Sequence, residues 1–172
     1  MSPAASHPDD GPVVRAQPVN ANSSRIDAMT VGYTLISGPP PLEDYLRLRR
    51  DSGLSPKTPE QGAGAITGSW SACHILDGTG TVVAMGRTIG DGGWYFHIAD
   101  IATDPAHQRR GLDRRVLDWL IADIRERAPE GAYISLIGDP PGQRLYRSLG
   151  FDDVAPSLGM AMRDGRRERA AT

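Results

Sequence analysis

One long stripe of apolar residues with helical spacing divides this chain. On either side of it lie short apolar runs punctuated by glycine, proline and aspartate. Leu112, Val116, Leu117, Leu120, Ile121 and Ile124 fall on one side of a helical wheel, which predicts an amphipathic helix. Pro129 stops it just after Arg125 and Arg127, whose charges suit a helix C-terminus. Before it, residues 31–36 read as a strand closed by Ser37-Gly38-Pro39-Pro40. A helix follows from Pro41, with Leu42, Tyr45, Leu46 and Arg49 at helical spacing and Asp51-Ser52-Gly53 as its end. Residues 55–66 carry two prolines and two glycines, with one short helix beginning near Pro59-Glu60. Strands at 70–76 and 82–89 are joined by Asp77-Gly78-Thr79-Gly80, a strong hairpin signal, and Gly90-Asp91-Gly92-Gly93 turns the chain into a strand at 94–102. After the long helix come a strand at 133–137, a break at Gly138-Asp139-Pro140-Pro141, a short helix at 143–149, and closing strands marked by Val154 and residues 160–162.

The order β-α-α-β-β-β-α-β-α-β-β defines an α/β domain with a consecutive antiparallel meander before the long helix. Its bounds are residues 29–163, with Met29 as a natural start. Residues 1–28 are rich in Pro, Ala, Ser and Asn with almost no large apolar side chains, and cannot bury enough surface to offset their ordering entropy. They are expected to form a disordered extension, and residues 164–172 a flexible tail.

Composition narrows the function by exclusion. A chain of 172 residues can bury a core without disulfides, and Cys73, its single cysteine, rules out a disulfide framework. Cys73 reads as a small core residue rather than a nucleophile. The four histidines (His7, His74, His97, His107) show no ligand spacing, so no metal is expected. A formal charge of -2 gives no bias toward nucleic acid or membranes. No apolar run is long enough to span a bilayer and the N-terminus lacks a signal-peptide core, so a cytoplasmic protein is expected.

The chemistry concentrates where the last meander strand meets the long helix. That strand breaks at Asp104-Pro105 and turns through Gln108-Arg109-Arg110-Gly111 into the helix. The first N–H groups of a helix lack internal partners and its dipole is positive there, so an anion such as a phosphate fits. Gly111 lets the main chain approach such a ligand, and Arg109, Arg110, Arg114 and Arg115 add charge. An ordinary corner with solvated arginines has the same spacing.

Gln108-Arg109-Arg110-Gly111-Leu112-Asp113 resembles the Gln/Arg-x-x-Gly-x-Gly/Ala signature of the GNAT superfamily of N-acetyltransferases. Residues 100–105, Asp-Ile-Ala-Thr-Asp-Pro, are similar to the lead-in of that motif. Leu145-Tyr146-Arg147-Ser148-Leu149-Gly150-Phe151 resembles the second landmark, Leu-Tyr-x-x-x-Gly-Phe. The resemblance covers residues 33–162. It implies a GNAT-like α/β sandwich, a central mixed, mostly antiparallel sheet flanked by helices and splayed between its fourth and fifth strands. It also implies acetyl-CoA as co-substrate, its pyrophosphate wrapped by residues 108–113. The acceptor is then a small-molecule amine or an exposed amino group, and a homodimer is compatible with the family. The signature's last position holds Asp113 instead of Gly or Ala, which places a carboxylate beside the expected pyrophosphate.

The family transfers the acetyl group directly within a ternary complex, so no protein nucleophile is needed. By resemblance, Tyr146 is the general acid for the departing thiolate, a role a phenol of pKa about 10 can fill. A tyrosine there could equally be a buried helix cap. His97 and Asp100 lie on the strand where the family places a base. Strand alternation puts them on opposite faces unless a bulge intervenes, and the family carries one here. His97 has the better pKa for deprotonating an ammonium, and Asp100 could bind it. His97 could also be a half-buried strand histidine with its hydrogen bonds satisfied. Backbone groups of Ile101 and Ala102 would hold the thioester carbonyl and the pantetheine arm. The competing class is a GNAT-fold binding or regulatory protein whose acyl-CoA site Asp113 has weakened.

Overall fold

Residues 32–162 are described by a computed structural model of the chain. Ten elements follow in order: β1 (Thr34–Ser37), α1 (Leu42–Asp51), α2 (Pro59–Thr67), β2 (Ser71–Leu76), β3 (Val82–Gly90), β4 (Tyr95–Thr103), a 3-10 turn (Pro105–His107), α3 (Leu112–Arg127), β5 (Tyr133–Leu136) and α4 (Gln143–Ser148). The sheet order is β1-β2-β3-β4-β5. The first four strands are antiparallel, and β5 lies parallel to β4 after the α3 crossover.

Local chemistry accounts for the elements. All six apolar residues of the α3 stripe are buried. They pack with Cys73, Ile75, Phe96 and Ile98 on one face of the sheet. Each such side chain contributes about 1.5–3 kcal/mol of gross burial energy. On the other face α1 sets Tyr45 and Leu48 against Met85 and Ala102. Helix α2 forms despite two internal glycines because Thr58 and Gln61 make a reciprocal capping box ahead of Pro59. Asp77 ties the β2–β3 turn by accepting from the Thr79 and Thr81 amides at 2.9 and 3.0 Å.

Two irregularities in β4 shape the molecule. Met85 pairs with Ala102 but Arg87 pairs with Ala99, so Gly86 alone faces both Asp100 and Ile101. Asp100 takes a left-handed φ of 56°, and the extra residue makes a bulge. Gly86 is required there: a Cβ would sit 2.5 Å from Val116 and 2.6 Å from Ile101. Pairing of β4 with β5 ends at Ile98–Leu136, while β4 itself runs on to Thr103. β5 itself ends at Leu136, so the second half of β4 has no strand beside it on that side, which is where the splay is expected.

Sequence and structure differ at the C-terminal side. The expected closing strands, at Val154 and residues 160–162, are absent among the described residues, which hold five strands. Leu158, Met160 and Met162 alternate as a strand's apolar face would, yet they are 83%, 92% and 97% exposed. A strand needs a ladder partner as well as a pattern, and Pro156 and Gly159 interrupt this segment. The strand expected at 31–36 begins at Thr34. The disordered extension (1–28), the start at Met29 and the tail (164–172) lie outside the described residues. Among the described residues no helix is long and apolar enough to cross a membrane.

Candidate functional site

The turn into α3 leaves backbone donors free. Arg109 and Gly111 both take left-handed φ values, 60° and 79°. Gly111 is the N-cap and offers no side-chain cap, and the first helical bond runs from the Arg115 amide to the Gly111 carbonyl at 3.1 Å. The amides of Leu112, Asp113 and Arg114 precede that bond and have no partner within the helix. Donors and dipole make this end fit an anionic ligand. Much of the arginine charge is already committed. Arg110 and Arg115 hold the Tyr33 hydroxyl and carbonyl, both at 3.0 Å. Arg114 pairs with Asp118 at 3.3 Å. The Arg109 side chain makes no hydrogen bond among the described residues and is exposed. Gln108 braces the turn, donating from Nε2 to the Thr103 carbonyl at 3.4 Å. Asp113, second in the helix, accepts a hydrogen bond from the Thr103 hydroxyl, so its carboxylate faces the end of β4.

The splay exposes the β4 edge beside this turn. Beyond Ile98 no residue of β5 pairs with β4, so Ile101 and Ala102 lie on a stretch without a strand partner on that side. Their side chains are used elsewhere, Ile101 in the α3 core and Ala102 beneath α1. Tyr146 approaches the cleft from α4. Its ring packs against Phe151 and lies close over Gly138 and Gly142. Burial first, then the carboxylates of Asp113 and Asp139, push its phenol above the ordinary value. The hydroxyl makes no hydrogen bond among the described residues.

On the α1 face the bulge brings His97 and Asp100 together. Asp100 points toward α1, where the Tyr45 hydroxyl donates to it at 2.5 Å and Arg49 forms an ion pair with it. Arg87, from β3, donates from Nε at 2.5 Å to Oδ2, the oxygen that also accepts from Tyr45, while Arg49 is on Oδ1. Burial would raise the Asp100 carboxyl, but the hydrogen bonds from Tyr45 and Arg87 and the charges of both arginines outweigh it and hold the carboxyl below the usual value. His97 lies across from Ser135 of β5, with Nδ1 3.0 Å from its hydroxyl. Burial, then the Arg87 charge, depress the imidazole pKa, with Asp100 pulling the other way. The neutral ring is therefore favoured, with Nε2 turned away from Ser135.

Residues 108–113 and Tyr146 thus converge on the splay, and His97 and Asp100 share the α1 face. Sequence reasoning passed over Arg87, Ser135 and Thr103. An arginine within the apolar β3 run and another on the buried side of α1 were the available signals, since a buried charge requires a partner. Cys73 is sealed in the core, where burial pushes its thiol up to about 12 and keeps it unreactive. A concavity of about 520 Å3 lies elsewhere, between the C-terminal part of α3 and residues 149–151.

Residues 42–151 match the model of the acetyltransferase (GNAT) family. Serotonin N-acetyltransferase 2, chloroplastic, of Oryza sativa subsp. japonica is 32% identical over 100 residues, 58% of this chain and 49% of that protein. Mycothiol acetyltransferase of Corynebacterium efficiens is 37% identical over 92 residues, 52% of this chain and 28% of that protein. The chain thus spans about half the length of these relatives or less. Among solved structures, a Staphylococcus aureus protein of unknown function, described as a probable acetyltransferase, is 32% identical with a TM-score of 0.72, covering 77% of this chain and 99% of that one. The ribosomal-protein-S18-alanine N-acetyltransferase of Escherichia coli shares the fold at 23% identity, with a TM-score of 0.61 and coverage of 72% and 79%.

Proposed function

The chain belongs to the acetyltransferase (GNAT) family, and from that premise we propose that it moves an acetyl group from acetyl-CoA to a primary amine by direct attack. One observation carries the reading. The stretch of β4 beyond Ile98 has no partner on its β5 side and leads to the uncapped α3 N-terminus, whose Asp113 lies near enough to raise the Tyr146 phenol, so an anion site, an extended slot and a proton donor would adjoin.

The amides of Leu112, Asp113 and Arg114, with Arg109, would hold the pyrophosphate. The free β4 edge at Ile101 and Ala102 would align the pantetheine arm and orient the thioester carbonyl. His97 has its Nδ1 side engaged by Ser135, leaving Nε2 to take a proton from the substrate ammonium, so that the neutral amine attacks. As the new N–C bond forms and the C–S bond breaks, Tyr146 gives its proton to the leaving thiolate, and the second proton shed by the acylated nitrogen restores the phenol. Cys73, protonated and sealed in the core, has no part in this. Asp100 is engaged by two arginines and a tyrosine, so its role is to anchor Arg87 rather than to carry protons.

Asp113 favours a second reading, a binding or regulatory protein with a weakened acyl-CoA site. One experiment separates the two. Titration calorimetry with acetyl-CoA is followed by thiol release in the presence of a panel of primary amines. Binding with amine-dependent release is expected, and binding without release for any amine would favour the regulatory reading.

A further inference from the structure

The two arginines on the α1 face are used very differently. Arg49 is 7% exposed and fully spent, giving Nε and one terminal nitrogen to the Ser55 carbonyl and the other to Asp100. Arg87 is 16% exposed and gives only Nε, to Asp100. Its two terminal nitrogens make no hydrogen bond among the described residues. They are not among the buried polar atoms left without a partner either, so they reach solvent.

Register fixes where those nitrogens lie. Arg87 stands opposite Ala99, and His97 is the next residue along β4 on the same face. Such diagonal neighbours are about 7–8 Å apart at their Cα atoms. The charges around them do not cancel: Arg49 and Arg87 against Asp100 leave one net positive charge. Tyr45 adds none, its phenol held above the ordinary pKa by burial and by Asp100. The depressed imidazole of His97 adds none near neutrality.

A bare ammonium meets repulsion at such a site. An amine carrying its own anion neutralises the excess charge and finds a planar fork suited to a carboxylate. We infer that Arg87 is a specificity-determining residue that binds a carboxylate of the acceptor, making the acceptor an amino acid rather than a simple amine. The inference rests on the acetyltransferase reading and on His97 as base. Because the guanidinium and the imidazole are neighbours, carboxylate and amine must be neighbours too, as in an α-amino acid. Ile89, Tyr95 and Tyr133, each more than 40% exposed, continue the same face and would lie under the acceptor's side chain.

The test measures thiol release from acetyl-CoA with α-amino acids, each beside its decarboxylated amine and its amide. The full-length chain is used, with acetyl-CoA binding measured in parallel. The acid is expected to exceed its decarboxylated partner in kcat/KM by on the order of 10- to 100-fold, the size of one charge-assisted contact. In Arg87→Gln that ratio falls toward one. Arg87→Lys retains a charge beside Asp100 but loses the fork, and keeps only part of the ratio. Should either variant fail to fold, the ratio in the unmodified protein still decides. Decarboxylated amines equal to or better than the acids overturn this inference and leave the acetyltransferase reading standing. Acetyl-CoA binding with no acetylation of any amine overturns both.

Discussion

Thr103 and Asp113 close the corner between β4 and α3, the threonine hydroxyl donating to the carboxylate ten positions on. Thr103 is 4% exposed, so its hydroxyl depends on this partner. The same contact holds a negative charge in the first turn of α3, next to the proposed pyrophosphate site. At ~5 Å and an effective dielectric near 20, that repulsion is on the order of 3 kcal/mol before screening. Solvent and Arg109 reduce it to roughly 1–2 kcal/mol, or about 5- to 30-fold in affinity. Asp113→Asn keeps an acceptor for Thr103 and removes the charge, so it should tighten acetyl-CoA binding by that factor in calorimetry at low salt. Asp113→Gly should also tighten binding but lose about 1–3 kcal/mol of stability, because Thr103 is left unpartnered. Unchanged or weaker binding by Asp113→Asn would show that the charge lies outside the field of the phosphates.

Tyr146→Phe removes a proton donor and little packing. Turnover should fall about 10²- to 10⁴-fold with acetyl-CoA affinity unchanged, when chemistry limits the rate. The alkaline limb of the rate profile supplies a second readout. Burial and the Asp113 charge both raise the Tyr146 phenol, so Asp113→Asn should move that limb to lower pH. A Tyr146→Phe variant as fast as the parent would remove Tyr146 from the mechanism.

His97 should set the acid limb of kcat/KM, with a midpoint below the ordinary 6.5 of a histidine. Activity then rises with pH through that midpoint, since the base works when neutral. The same shift acts on stability. Above 6.5 the imidazole is neutral folded and unfolded alike, so it contributes no pH dependence. Below 6.5 the unfolded chain takes up the proton more readily, and stability falls as pH drops through the folded value. His97→Gln should abolish the acid limb and flatten that part of the stability curve. An acid limb that persists in His97→Gln would assign the base elsewhere.

Asp100→Asn leaves Arg49 and Arg87 without their counter-charge beneath α1. Breaking a buried pair in this way costs about 3–5 kcal/mol, read as a lower urea midpoint. Arg50→Ala, which removes the solvent-exposed pair with Asp51, should change stability by about 0–1 kcal/mol. Because the Asp100 carboxyl is held below its ordinary 3.8, its contribution is present above that pH and lost as pH falls through the folded value. An Asp100→Asn variant as stable as the parent would show that the cluster does not hold the fold.

The parts of this protein written in local pattern were legible in the chain. The apolar stripe of α3, the Asp-Gly hairpin turns, the glycine turn at 108–111 and the Tyr146 landmark each depend on neighbours within a few residues, and each stands where its pattern puts it. The capping box of Thr58 and Gln61 is equally local, though only the structure revealed it. The closing strands were misjudged for the opposite reason: Leu158, Met160 and Met162 have the right alternation, but a strand exists only where a second one pairs with it. The face of β4 that carries Asp100 was likewise undecided in sequence. In a ladder of period two, one inserted residue reverses which side the following side chains take, and nothing local in residues 97–100 reveals the insertion. It becomes visible only opposite Gly86, where Val116 and Ile101 fill the space a side chain would need. The tertiary structure then decided the electrostatics, because the partners of Asp100 come from α1 and β3, 51 and 13 positions away. Charges so far apart along the chain meet only after the sheet and its covering helix have packed.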